Sequence, residues 1–241
     1  MDCAPSPSST LTSSLNAQER QSESTFDFSS TKREALFISI SGLIGGGKST
    51  LCKALSEEMN LAAYYEPVKD NAYLEDFYKD MAKYSFPMQI HLLTKRFRQQ
   101  QQIIWEGKGG VQDRSIYEDM IFAQTLRNSG MMDPRDYETY SDLFNSMANF
   151  MRRPHMIVHL HLTPEESLRR IKMRNRGVES GISLEYLQGL ARAYDDFISE
   201  IARVIPVIKV DYSEFRTAKE MAKRIREEWE SIANIRQVNF S

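Results

Sequence analysis

The chain has 241 residues, enough for one α/β domain with a sizeable core. Its hydrophobic (41%) and charged (27%) fractions are ordinary globular values, and a formal net charge of −2 gives no reason to expect a nucleic-acid-binding surface. Two cysteines, Cys3 and Cys52, support neither a disulfide scaffold nor a structural zinc site and point to a reducing compartment, and no apolar run is long enough for a membrane-spanning helix.

Residues 1–34 carry nine serines, four threonines, Pro5 and Pro7 with almost no aliphatic periodicity, so their composition predicts a disordered tail before a folded domain over 35–241. Asp2, Glu19, Glu23, Asp27 and Glu34 outnumber Arg20, Lys32 and Arg33, unlike the arginine-rich, acid-poor make-up of an organelle transit peptide. A cytoplasmic protein is expected, with nuclear and mitochondrial placement as the alternatives.

Leu36–Ser41 is an apolar, β-branched run that reads as a buried strand. It leads into Gly42-Leu-Ile-Gly45-Gly46-Gly47-Lys48-Ser49-Thr50, a complete G-x-x-x-x-G-K-[ST] loop, and then into a helix over 48–59. A strand feeding a glycine turn into a helix N-terminus aims backbone N–H groups and the positive end of the helix dipole at one point, which suits a triphosphate. Lys48 adds a charge for the β- and γ-phosphates, and Ser49 a hydroxyl for Mg²⁺. Glycine is costly in chain entropy, and four of them within six positions are hard to explain as a turn alone. ATP and Mg²⁺ are the expected cofactors.

Residues 61–65 form a short strand candidate closed by Glu66-Pro67, since proline pushes the residue before it out of helical geometry. Helical spacing follows over 71–84 and 87–106, with Pro87 suited to a first turn. Residues 109–113 make a third strand ending in Asp113-Arg114-Ser115, and helices are predicted over about 117–128 and 134–152. Met156–Leu162 is a clear strand; Thr163-Pro164-Glu165-Glu166 then supplies a cap, an N1 proline and an acidic first turn. A helix over about 183–203, a strand over 204–210 and a helix over 217–232 complete the chain. Trp105 reads as core. Alternating strands and helices imply a parallel sheet covered on both faces, with ligands beyond the carboxyl ends of its strands.

That rule brings the ends of the first three strands to one cleft. Glu66 has the chemistry to take the proton of an acceptor hydroxyl, Asp113 resembles the acid that helps to hold Mg²⁺ in phosphate-loop enzymes, and Arg114 can bridge Glu66 and the acceptor oxygen. A second cluster, Arg169, Arg170, Lys172, Arg174 and Arg176, puts five cations within eight residues, which repel one another unless an anion arrives. A lid closing over triphosphate explains the concentration, with Gly177 and Gly181 as hinges.

Gly42–Thr50, Glu66-Pro67, Tyr78, Gln89, Asp113-Arg114-Ser115, Arg170-x-x-x-Arg174-x-Arg176-x-x-Glu179 and Leu184-Glu-Tyr-Leu187 together resemble the deoxyribonucleoside kinases over about residues 36–234. The resemblance implies a P-loop kinase fold, an α/β architecture with a five-stranded parallel sheet flanked by helices and an arginine-rich lid, and a homodimer built from helices. It implies Glu66 as general base at the 5′-hydroxyl with Arg114 as its partner, and Tyr78 and Glu179 on the sugar 3′-hydroxyl. Gln89 would meet the base edge, Arg170, Arg174 and Arg176 would be the lid arginines, and Glu214-Phe215-Arg216 would pack on the adenine of ATP.

Arg96 and Asp119 match the family's cytidine and purine branch: a desolvated Arg–Asp pair suits an amino-bearing base and crowds the methyl group of thymine. Asp113 in place of glutamate, and a helix after Asp119 that is one residue shorter than in animal members, look more like the bacterial purine kinases. Deoxyadenosine is therefore expected as the preferred acceptor, then deoxyguanosine and deoxycytidine, in nucleotide salvage. The nearest alternative is a thymidylate-type nucleoside monophosphate kinase, but Glu66 would repel a phosphorylated acceptor. His159 and His161 alternate on one strand with no Glu or Cys at ligand spacing, and read as buried or interface residues.

Overall fold

The computed structural model describes residues 35–66, 71–174, 177–179, 181–212 and 217–234; the 1–34 segment, for which a tail is expected, lies outside them. The first strand, β1 (Phe37–Gly42), is buried along its whole length. It is the middle of an all-parallel sheet with order β2 (Ala63–Tyr64), β3 (Gly110–Asp113), β1, β4 (Met156–His161), β5 (Val207–Asp211). Parallel neighbours cannot be joined by hairpins, so the helices between them cover both faces. On one face α1 (Lys48–Met59) and α8 (Ala218–Asn234) pack Leu51, Cys52, Leu55, Met221 and Ile225 against Ile38, Ile40 and Val158. The larger core joins α3 (Met81–Glu106), α4 (Asp119–Asn128), α5 (Pro134–Ala148) and α7 (Leu184–Ile201) through Leu92, Leu93, Phe122, Leu126, Tyr140, Leu187 and Leu190.

The register sets the site. Ile40 lies opposite Asp113, so β3 ends beside the last turn of β1, where the glycine loop begins. Tyr64 lies opposite Gln112, which brings Glu66 to the same edge. The Ser183 hydroxyl accepts from the Tyr186 N–H and opens α7, and Thr163 Oγ1 accepts from the Glu166 N–H at the start of α6 (Pro164–Arg174).

Several boundaries depart from the sequence reading. The break expected between 84 and 87 falls at Asp80, between α2 (Leu74–Lys79) and α3, and Pro87 stands inside α3 rather than in its first turn. Asp80 takes φ −148° and ψ 83°, outside the helical region, and its side chain accepts from the Lys83 N–H, so the cap sets the boundary, and α3 runs on through Pro87 although the ring removes one backbone hydrogen bond and crowds the carbonyl four residues back. Both α5 and α7 stop short of 152 and 203, and β5 begins at Val207, after Pro206, rather than at 204. Trp105 is not core: it is 77% exposed. It follows Ile103, the last buried residue of α3, by about 200° of helical rotation, which takes it off the buried stripe.

Candidate active site

The glycine loop is tight because its backbone runs where side chains cannot follow. Gly42 has φ 138°, and a Cβ there would come within 2.6 Å of the Leu160 carbonyl oxygen; at Gly47 (φ 78°) it would meet the Tyr212 ring at 3.0 Å. Gly45 shares the left-handed conformation, and the Gly46 N–H donates to the Leu43 carbonyl at 3.2 Å. Lys48 folds back beneath the loop, buried, its Nζ donating to Leu43 O at 2.6 Å. Burial, then the Arg114 charge, lowers the ammonium to about 8 against the pull of Asp113, Glu118 and Glu66. Ser49 Oγ donates to Asp113 Oδ2 at 2.5 Å, and Thr50 lies exposed in the first turn of α1. Asp113 Oδ1 is buried and has no hydrogen-bond partner among the described residues. Burial raises this carboxyl, and Glu66 adds to the rise.

Glu66 is held from both sides. Arg96 Nη2 donates to its Oε1, and Arg114 Nε lies 3.3 Å from its Oε2. Burial alone would raise the carboxyl, but Arg96, Arg114 and Lys48 outweigh it and hold it at about 2. Arg96 in turn pairs with Asp119, both fully buried. The pair expected between Arg96 and Asp119 is therefore present, and its contact with Glu66, across 30 residues of sequence, is an addition that spacing did not reveal. Arg114 sits in a left-handed conformation, φ 68°, with its guanidinium over the Phe122 ring at 5.0 Å. Glu118 and Tyr194, which sequence reasoning missed, both contact Arg114; the i,i+4 spacing from Arg114 was the one signal for Glu118.

Gln89 lies on the same buried stripe of α3 as Arg96, two turns earlier, and its Oε1 is buried without a partner among the described residues. Tyr78, on α2, packs edge-on to Phe77, and its hydroxyl is pushed well above the usual range by burial, then by Tyr186 and Glu179 nearby. Gly181 leaves room for this packing, since a Cβ there would meet the Tyr78 carbonyl oxygen at 2.9 Å.

The basic cluster is less repulsive than its sequence suggests. Glu166 accepts from both Arg169 and Arg170, and Glu179 accepts from Arg174. Arg170 is buried, donating to the Tyr212 carbonyl at 2.8 Å with its guanidinium 4.5 Å from that ring, so it ties α6 to the chain after β5. Arg176, Glu214, Phe215 and Arg216 lie outside the described residues.

A triphosphate cradle and a clamped carboxylate at the carboxyl edge of one parallel sheet define the class: a phosphotransferase of the P-loop kinase fold. Comparison with known proteins narrows it. The deoxynucleoside kinase family model matches residues 38–234. The chain is 55% identical to a deoxyadenosine kinase of Dictyostelium discoideum over 206 residues, covering 86% of this chain and 84% of that protein. It is 38% identical to a deoxyadenosine/deoxycytidine kinase of Bacillus subtilis, covering 74% and 83% of the two chains. Among solved structures, deoxyadenosine kinase from M. mycoides with bound dATP is similar with a TM-score of 0.72 at 31% identity, covering 81% of this chain and 100% of that one. The chain belongs to the deoxynucleoside kinase family, and it is an enzyme that phosphorylates deoxyribonucleosides.

Proposed function

We propose that this enzyme transfers the γ-phosphoryl group of ATP to the 5′-hydroxyl of deoxyadenosine, with deoxyguanosine and deoxycytidine as lesser acceptors, in nucleotide salvage. The carrying observation is the Glu66 carboxylate, clamped by two arginines at a strand end beside the phosphate loop. The triphosphate lies on the loop from Gly42 to Thr50, against Lys48 and the N-terminus of α1. Ser49 and Asp113 fit Mg²⁺: they already share a proton-mediated contact of 2.5 Å, and Asp113 keeps a buried oxygen without a partner among the described residues. When bound there, that ion would supply positive charge against the triphosphate.

At neutral pH Glu66 is ionised and accepts the proton of the 5′-hydroxyl as the new bond forms. Phosphoryl transfer is loose and demands positioning more than basicity, so a carboxylate held as low as about 2 still serves. Tyr78 and Glu179 take the 3′-hydroxyl, and the bulk of Tyr78 disfavours a 2′-hydroxyl. Gln89 hydrogen-bonds the base edge, for which its unpartnered Oε1 is suited. Arg96 and Asp119 select an amino-bearing base over thymine. Arg170, Arg174 and Arg176 belong to a lid over the phosphates, and Glu214 and Phe215 contact the adenine of ATP. The deoxyadenosine preference is supported by the relatives at 55% and 38% identity, whose names carry that activity.

We further propose a homodimer. A groove of about 710 Å³ runs between α4 and α7, lined by Met120, Ile121, Thr125, Gly189, Ala193 and Phe197, and suits a second copy of the chain. Among the described residues no helix is long and apolar enough to cross a membrane. Purified protein with ATP and Mg²⁺, offered the four deoxynucleosides and their monophosphates, tests the function. Conversion of deoxyadenosine to its 5′-monophosphate is expected. Faster phosphorylation of dTMP than of any nucleoside would overturn the reading in favour of a monophosphate kinase.

A further inference from the structure

Glu118 and Tyr194 lie behind Arg114, on the side away from Glu66. Arg114 Nη1 donates to Glu118 Oε1 at 3.0 Å and to the Tyr194 hydroxyl at 2.7 Å, and that hydroxyl donates to Glu118 Oε2 at 3.1 Å. The three groups close a ring of hydrogen bonds from the end of β3, the 3₁₀ turn at Ile116–Glu118 and α7, and each residue is no more than 2% exposed. Arg114 itself takes a left-handed backbone, φ 68°. A non-glycine residue keeps such a conformation only when its surroundings over-determine it. Here they do: its N–H donates to the Ile40 carbonyl at 3.0 Å, Phe122 supports the guanidinium, and Glu118 and Tyr194 hold Nη1.

With Nη1 committed to Glu118 and Tyr194, Nε lies 3.3 Å from Glu66 Oε2 as an ion pair. Stability alone does not account for the arrangement. Taking a carboxylate and a guanidinium out of water is expensive, and well-packed apolar groups in their place are often neutral or stabilising.

We propose that Glu118 and Tyr194 are positioning residues for phosphoryl transfer: they fix the Arg114 guanidinium so that it holds the Glu66 carboxylate at the acceptor hydroxyl. The inference rests on the reading of Glu66 as the group that takes the acceptor's proton. Its energetic logic is that of outer partners elsewhere, which lock the orientation of the group that touches the reacting atoms.

Tyr194→Phe removes one oxygen and Glu118→Gln keeps the shape while removing the charge. Each is measured for kcat, for KM with deoxyadenosine and with ATP, and for thermal stability, alone and combined with Glu66→Gln. Tyr194→Phe is expected to lower kcat about tenfold, the scale known for such outer partners. Both KM values should stay within about twofold, because ground-state binding is untouched. In the Glu66→Gln background the same substitution should change kcat by less than about twofold, since the side chain that the fixed Arg114 holds can no longer take the proton. Unchanged kcat per folded molecule in both single variants, whatever their melting temperatures, overturns the proposal. So do losses that simply multiply in the double variants. Should Glu66→Gln by itself keep full turnover, the reading of Glu66 fails first and carries this inference with it; a slow Glu66→Gln beside an unaffected Tyr194→Phe sinks the positioning role alone.

Discussion

At the scale of single residues, the site is a contest between burial and charge. Lys48, Arg96 and Arg114 face Glu66, Asp113, Glu118 and Asp119 in a nearly water-free cluster, and the outcome for each group depends on its partners. Glu66→Gln keeps the shape but removes the charge, turns one of the two arginine-facing oxygens into an NH₂ donor and cannot accept a proton. Turnover should fall by about 10²-fold or more while ATP still binds, read by kcat beside a nucleotide-binding titration. Near-full turnover would move the role elsewhere, with Asp113 the first candidate. The Arg96–Asp119 pair, proposed to select the base, is a less simple target than spacing suggested, because Arg96 holds Glu66 as well as Asp119. Arg96→Met with Asp119→Ala should therefore lower overall turnover and at the same time raise thymidine relative to deoxyadenosine in kcat/KM. If the ranking of the four deoxynucleosides does not move, the pair is merely structural.

At the scale of elements, the strands and helices were legible in order because each signal was local: β-branched runs for β1 and β4, a glycine loop into α1, Thr163-Pro164 into α6, Ser183 into α7. What was illegible needed partners distant in sequence. Nothing near Tyr194 announces that it meets Arg114, 80 residues away, and the cations of α6 looked unpaired because Glu166 and Glu179 were not matched to them. The split at Asp80 was lost where a capping carboxylate and a proline competed for one boundary. One element carries a pH sensor of stability. His159 of β4 is buried against β1, its Nδ1 2.9 Å from Ser41 Oγ, and burial, then Lys209, pushes its imidazole down to about 4. The folded state binds this proton less well than the unfolded chain, whose histidine titrates near 6.5, so stability is full above that value and is lost as pH falls towards 4. The lowering amounts to roughly 3 kcal/mol once both states have titrated. Denaturant midpoints for wild type and His159→Asn, compared at pH 7.5 and 5, check this: the wild type should lose more on acidification. Equal losses would mean that other groups dominate.

At the scale of the whole molecule, Glu66 with Arg114 and Ser49 with Asp113 meet at the carboxyl ends of neighbouring strands of one sheet. Pairing of two chains through α4 and α7 would cover the groove, whose lining is apolar at Met120, Ile121, Ala193 and Phe197. Because α4 begins at Asp119 and follows directly on Glu118, and α7 carries Tyr194, a partner seated there would also stiffen the two elements that hold Arg96 and Arg114. Sedimentation should therefore show a species of twice 27.9 kDa. Ala193→Glu places a charge in the groove without touching the catalytic groups, and a buried unpaired carboxylate costs enough to split a modest interface. The variant should sediment with a larger monomer fraction, and its kcat should fall with that fraction as enzyme is diluted. A wild type that sediments at 27.9 kDa across the concentrations used in assays would rule the pairing out.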